Sequence, residues 1–318
     1  DVQRLGLDGN ELPLARREAV GSIVDYVAGR NRYVGYLISL ASHSYREMKI
    51  GLDCANGASW MIAKAVFEAL GARTYVMGTA PNGLNVNDGC GSTHIDALRK
   101  FVLENHLDVG FAFDGDADRC LAVDENGNVV NGDHILYILG SQMKKAGELT
   151  NNTVVTTIMS NMGLYKALRE AGIDYVQTSV GDRYVYENMV ATGNCIGGEQ
   201  SGHIILGEFA ATGDGLLASV YLASTIKKTK LPLSVLSKVT RYPQINASFA
   251  VKNKSEVVRN KDLQNYVSAI KGELPEGRIL IRESGTEEKI RLTVEAKDEE
   301  IMNNAFKKMS KYIKEKFM

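Results

Sequence analysis

The 318-residue chain balances 37 Lys and Arg against 38 Asp and Glu, a net charge of −1, with 44% hydrophobic and 24% charged residues. That balance gives no reason to expect nucleic acid or an acidic membrane surface as partner, and the length calls for about two or three domains. Cys54, Cys90, Cys120 and Cys195 form no Cys-x-x-Cys pair and fit reduced thiols of a cytoplasmic protein, while no stretch nears the ~20 apolar residues of a membrane span.

Residues 1–24 are mixed and polar, broken by Gly6, Gly9 and Pro13, and read as the tail of a preceding domain. Helical periodicity predicts a helix over Arg32–Ser42. Alternation then sets in: strand Met48–Leu52, turn 53–58, helix Ile62–Leu70 closed by Gly71, strand Thr74–Met77, helix Ile95–Glu104 and strand Val109–Phe113. A turn at Asp124–Gly127 leads into Val129-Val130. This spacing predicts a parallel sheet with helices on its faces over residues 25–130.

The scheme repeats over 131–242. Helix Ile135–Lys145, strand Val154–Ile158, helix Gly163–Ala171, strand Tyr175–Thr178 and helix Arg183–Ala191 lead to a polar loop, Ile204–Leu206 and a helix over Gly213–Lys227. Both halves run strand, helix, strand, helix into a carboxylate-bearing loop, which predicts a structural repeat. After Tyr242-Pro243 the character changes: strand Ala247–Val251, helix Asp262–Lys271, strands Arg278–Ile281 and Ile290–Glu295, and helix Glu299–Phe317. The fold class is α/β: two related three-layer domains of alternating strand and helix, and a small two-layer α+β domain over 243–318.

Three loops carry chemistry. Asp114-Gly115-Asp116-Ala117-Asp118-Arg119 follows a buried-type strand, and like charges so close repel unless a cation sits among them. Oxygen ligands of this density suit a hard divalent ion such as Mg²⁺. The calcium helix–loop–helix pattern fails, because Arg119 stands where glycine makes its turn and the flanks are strands. A phosphoaspartate enzyme lacks its partner motif. Gly198-Glu199-Gln200-Ser201-Gly202-His203 offers groups suited to sugar hydroxyls, or is a tight turn with a satisfied histidine. Asp182 either caps a helix start or leaves Arg183 facing an anion. Arg282-Glu283-Ser284-Gly285-Thr286 with Arg291 can cradle phosphate, or forms an ordinary hairpin turn. Ser42-His43-Ser44 is a loop rather than a nucleophile dyad, since adjacent side chains point apart.

Together, in this order, these motifs resemble the α-D-phosphohexomutase superfamily over nearly the whole chain, with Asp53-Cys54-Ala55-Asn56-Gly57 and Gly91-Ser92-Thr93-His94 adding to the match. Gln200 favours the glucosamine-phosphate branch over the phosphomannomutase/phosphoglucomutase branch. The resemblance implies Mg²⁺ held by Asp114, Asp116 and Asp118, with Arg119 beside the reacting phosphate. It implies sugar contacts from Glu199, Ser201, His203 and Arg183, and a phosphate clamp of Arg282, Ser284, Gly285, Thr286 and Arg291. The implied reaction interconverts glucosamine 6-phosphate and glucosamine 1-phosphate through a bisphosphate, with homodimers known in this branch. Alternatives are the phosphomannomutase/phosphoglucomutase activity or a non-catalytic sugar-phosphate-binding protein.

Two departures stand out. Proline is usual after Arg282 and Glu287, where this chain has Glu283 and Glu288, and their charge weakens the clamp unless both point away. The family's Ser-His-Asn-Pro-like loop, whose phosphoserine transfers the phosphoryl group, has no counterpart, so the expectation is a chain without its first domain and inactive alone.

Overall fold

A computed structural model of the chain describes residues 15–22, 24–285 and 287–318. Most of the tail expected over 1–24, and Thr286 of the expected clamp, lie outside the described residues.

After helix α1 (Val27–Leu40), strands β1 (Lys49–Asp53), β2 (Arg73–Met77), β3 (Val109–Phe113), β4 (Cys120–Asp124) and β5 (Val129–Val130) form one sheet in the order β2-β1-β3-β4-β5. Helices α2 (Ala63–Ala69) and α3 (Ile95–Asn105) cover its two faces. β3 is buried throughout, and its side chains alternate. Val109, Phe111 and Phe113 enter the main core with Val66 and Phe67 of α2, whereas Ala112 packs with Leu98 and Val102 of α3. Burying a side chain such as Phe111 contributes about 1.5–3 kcal/mol.

Helix α4 (Gly132–Ala146) opens the second unit. Its sheet runs β7-β6-β8-β9, built from β6 (Thr153–Thr157), β7 (Asp174–Thr178), β8 (Ile196–Gly198) and β9 (Ile204–Leu206), with α5 (Met162–Glu170) and α6 (Asp182–Thr192) as its crossovers. The order matches β2-β1-β3-β4 strand for strand, so the repeat is real at the level of topology. Helices α4 and α7 (Gly215–Thr229) lie in a core that both units share, with Ile50 and Phe111 from the first sheet, Val154 from the second, and Leu164, Ala167 and Leu168 from α5.

Neither sheet is purely parallel, which corrects the sequence-based expectation. β1, β2 and β3 pair in parallel, but β3–β4 and β8–β9 are antiparallel. The loops 114–119 and 199–203 are too short for a crossover, which needs about a dozen residues, so each strand returns beside its predecessor. Both polar loops are therefore hairpin tips at the carboxyl ends of central strands.

A short helix, α8 (Leu233–Leu236), precedes the third unit, a two-layer arrangement of β10 (Gln244–Ala250), α9 (Lys254–Arg259), α10 (Lys261–Lys271), β11 (Gly277–Glu283), β12 (Lys289–Ala296) and α11 (Glu299–Phe317). Its antiparallel sheet has the order β10-β12-β11. Met302, Ala305, Met309 and Ile313 of α11 make one buried stripe at helical spacing. Helix α9 is not foreseen from the sequence, although Asn253 caps it by accepting from the Glu256 N–H. α1 begins at Val27, earlier than the expected Arg32; no residue of its first two turns is buried, so no apolar stripe marks its start.

Arg278 of β11 fastens this unit to the second. Its guanidinium donates to the Ile158 carbonyl at 2.8 Å and pairs with Glu295 at 2.7 Å, and Glu295 is fully buried. The Asn161 side chain bonds the Tyr242 backbone in both directions, at 3.0 and 2.8 Å.

Candidate active site

The first hairpin tip gathers the Asp114, Asp116 and Asp118 carboxylates, with one oxygen of each inside a 4.8 Å cluster. Ala117 takes a left-handed φ of +63°, which folds the loop back so that alternate carboxylates converge. The backbone is anchored from two sides: the Ala58 N–H donates to Gly115 O at 2.8 Å, and the Gly215 N–H to Ala117 O at 2.9 Å. Burial and then the Asp118 and Asp116 charges push the Asp114 carboxyl up to about 6, against the Arg119 backbone N–H that it accepts. The Arg119 Nε lies 3.7 Å from both Asp114 and Asp118, too far for hydrogen bonds. Asp118 Oδ1 is buried and unpartnered. A carboxylate cluster with an idle buried oxygen, whose mutual repulsion a cation would relieve, fits a hard divalent cation by its donor set.

The second hairpin tip lies against the first. Cys120 donates its N–H to Gly202 O at 3.0 Å. Gly202 has φ +95°, and a Cβ there would sit 2.4 Å from Cys120 O, so only glycine allows this approach. His203, 2% exposed, accepts the Gly213 N–H at Nε2 (3.0 Å), which leaves Nδ1–H to donate to Asp118 Oδ2 at 3.1 Å. Both ring nitrogens are thus taken by the protein. The expected sugar contact from His203 gives way to a satisfied histidine that orients a carboxylate of the acidic cluster.

Glu199 accepts the Gly181 N–H at 3.0 Å, and the Ser201 hydroxyl is buried without a partner. Arg183 stands apart from this group: its side chain is 81% exposed and pairs with Glu187 at 2.7 Å, one turn along α6. Asp182 is not the cap, since Gly181 holds that position; its carboxylate lies 3.6 Å from His203 Nε2.

On the third unit Arg282 and Arg291 are directly opposed on β11 and β12. The Nε of each, and the Oγ of Ser284 beside them, are buried and unpartnered. Burial and then the Arg291 charge lower the Arg282 pKa, and only Glu199 opposes them. That attraction puts Arg282 within electrostatic reach of the polar loop of the second unit. Three idle donors on one hairpin have chemistry suited to an anion. Gly285 is exposed with open space around it. Glu283 alternates to the other face and accepts from Ser255 at 3.0 Å, while Glu288 pairs with Lys254 at 3.5 Å, so neither carboxylate is left facing the arginines uncompensated.

Sequence reading placed Asp53 in a matching motif without giving it a role, and did not single out Asp133. Asp53 is fully buried at the end of β1 and accepts the Ala55 and Gly91 N–H groups at 3.0 and 2.7 Å. It ties the turn whose Gly57 abuts Gly115 to the Gly91–His94 segment, a scaffold under the acidic loop. Because its segment is a loop and not a regular helix or strand, exposed Ser42 bonds His43 Nδ1 at 2.8 Å, contrary to the expectation that these adjacent side chains point apart. It lines a cavity with Ser224, Thr225 and Lys228 of α7, whereas the acidic loop meets Gly215 at the start of that helix. The nine steps from residue 215 to residue 224 span ~14 Å of helix, so Ser42 does not serve the acidic cluster.

Two α/β units in tandem, followed by a small α+β unit that returns an arginine towards the second unit's loop, make this a multidomain α/β protein of the phosphohexomutase type. Models for phosphoglucomutase/phosphomannomutase alpha/beta/alpha domain II, alpha/beta/alpha domain III and the C-terminal domain match residues 31–127, 131–242 and 247–311. The chain belongs to the phosphoglucomutase/phosphomannomutase family. A phosphoglucosamine mutase of Lachnospira eligens is 53% identical over 294 residues, which cover 91% of this chain and 65% of that protein. Across such curated relatives the chain spans from 65% to 71% of their length. The fold is shared with a phosphoglucomutase/phosphomannomutase family protein of Burkholderia thailandensis (TM-score 0.74, 20% identity, covering 91% of this chain and 65% of that one). It is shared too with Aspergillus fumigatus N-acetylphosphoglucosamine mutase in complex with GlcNAc-6P and magnesium (TM-score 0.73, 17% identity, covering 89% and 70%).

Proposed function

We propose that these residues form the metal- and substrate-holding part of a phosphosugar mutase acting on glucosamine 6-phosphate and glucosamine 1-phosphate. The observation that carries the reading is the set of idle buried donors of Arg282, Arg291 and Ser284, held on a separate sheet from the acidic cluster. One anionic group at each place, with a sugar-sized polar loop between, is the demand of a bisphosphate that must bind in two orientations. The names of the curated relatives supply the glucosamine preference.

In this reading Asp114, Asp116 and Asp118 hold Mg²⁺, which when bound withdraws charge from the reacting phosphate. Arg119, already beside Asp114 and Asp118, donates to the same phosphate. His203 fixes the rotamer of Asp118 through its Nδ1–H, and Glu199 and Ser201 take sugar hydroxyls. Arg282 and Arg291 hold the phosphate that is not reacting. Phosphoryl transfer itself needs a carrier, and Ser42 is placed away from the acidic loop. The 318 residues by themselves therefore bind phosphosugar but do not interconvert the two phosphates.

Incubation of the purified chain with Mg²⁺ and glucosamine 6-phosphate, followed by ³¹P NMR, tests this. Binding without appearance of the 1-phosphate is the expected outcome. Interconversion would refute the division of labour, and absence of any binding would refute the site. Homodimerisation and a cytoplasmic location extend the same reading, and gel filtration with light scattering measures the former.

A further inference from the structure

Gln200 is fastened twice to the start of α4. The Gly132 N–H donates to its carbonyl at 3.1 Å, and its Nε2 donates to Asp133 Oδ2 at 3.1 Å. Asp133 is 1% exposed, and the same oxygen accepts the Asn161 N–H at 2.8 Å. The approach is close enough that a Cβ on Gly132 would lie 1.9 Å from Glu199 O. A carboxylate accepts and cannot donate, so it admits only the NH₂ edge of an amide. The amide is planar, with oxygen and nitrogen on opposite edges. Holding Nε2 therefore turns Oε1 the other way, and Oε1 has no donor among the described residues.

We propose that Asp133 is a specificity-determining positioning residue: it fixes the flip of the Gln200 amide so that the sugar loop offers an acceptor, not a donor, to the C2 substituent of the sugar. An acceptor there serves a C2 ammonium, which only donates, better than a C2 hydroxyl, which is content with either partner. This deepens the phosphosugar reading and rests on it. Asp133 touches no substrate; it acts through Gln200.

The test compares glucosamine 6-phosphate with glucose 6-phosphate, which differ at C2, by calorimetric titration of the native chain, Asp133→Asn and Gln200→Met in the presence of Mg²⁺. The native chain should bind the amine about tenfold more tightly, the range of one hydrogen bond to a charged group. The side-chain amide of the Asp133→Asn variant can present either edge, so the ratio of the two affinities should collapse towards one there. It should collapse equally in Gln200→Met, which leaves the buried carboxylate in place. General damage to the site lowers both affinities together and leaves the ratio alone. A native preference that survives either substitution would overturn the proposal. Equal native affinities would overturn it too while leaving the phosphosugar site standing, and a native chain that binds neither sugar would sink both.

Discussion

Arg282→Met tests the phosphate clamp most directly, because the structure gives opposite signs for binding and for stability. Methionine keeps the packing of the stem and removes a guanidinium that is opposed to Arg291 across the strand pair. Like charges in that position are destabilising by roughly 0.2–1 kcal/mol, and the loss of attraction to Glu199 offsets part of the relief. The variant should therefore melt within about 2 °C of the native chain or slightly above it, at roughly 2–4 °C per kcal/mol for a protein of this order of size. Binding should move the other way. A hydrogen bond to a charged group contributes about 1.5–3 kcal/mol, so affinity for glucosamine 6-phosphate should fall roughly 10- to 150-fold. Calorimetric titration with the sugar phosphate and with inorganic phosphate measures one arm, and scanning calorimetry without ligand the other. A melting temperature several degrees lower with phosphate affinity intact would make Arg282 a structural residue and remove the hairpin from the site.

Asp116→Asn removes an exposed carboxylate of the acidic cluster, so Mg²⁺ affinity should fall about tenfold or more with no change in melting; unaltered Mg²⁺ binding by calorimetry would count against the cluster. Arg278→Met leaves the Glu295 carboxylate buried and without its cation, a loss of about 3–5 kcal/mol to be read from urea unfolding. Asp133 and His134 pull stability in opposite directions with pH. Burial raises the Asp133 carboxyl from 3.8 to about 6, so its contribution is fully present below its unfolded value and is lost as pH rises through 6. Burial and the Arg241 charge lower His134 from 6.5 to about 4, so its contribution is present above the unfolded value and is lost as pH falls towards 4. Asp133→Asn removes the first slope alone. Relative to the native chain, its stability should rise between pH 4.5 and 6.5, by up to about 2 kcal/mol, and parallel urea midpoints at the two pH values would refute the assignment.

How much of this was legible in the residues depends on the kind of signal. β3 is five apolar residues followed by three alternate carboxylates, so both the strand and the loop it delivers announce themselves. The repeat could be read from alternation although few residues are shared. What the sequence hid lies in pairings across distance. Arg282 opposite Arg291 depends on the register of β11 on β12, and His203 meeting Asp118 depends on two hairpins being laid together. Asp133 reads as part of a helix start, its local role in the pattern Asn131-Gly132-Asp133-His134; nothing local says that it also holds Gln200 and Asn161.

The two hairpin tips show why the repeat matters to the site. Each unit alone places one polar loop at the carboxyl end of its central strands, as open α/β sheets do. Neither loop has a partner within its own unit for all its groups: Asp118 needs His203, and Cys120 needs Gly202 O. Duplication of the unit, with α4 and α7 packed in a common core, turns two similar loops into halves of one surface. One half carries three carboxylates and the other a mixed set of donors and acceptors. The third unit contributes charge of the opposite sign, and Arg278 with Glu295 fixes where that charge stands relative to Glu199. The carboxylate cluster on the first unit, the polar loop on the second and the opposed arginines on the third follow from this stacking of units.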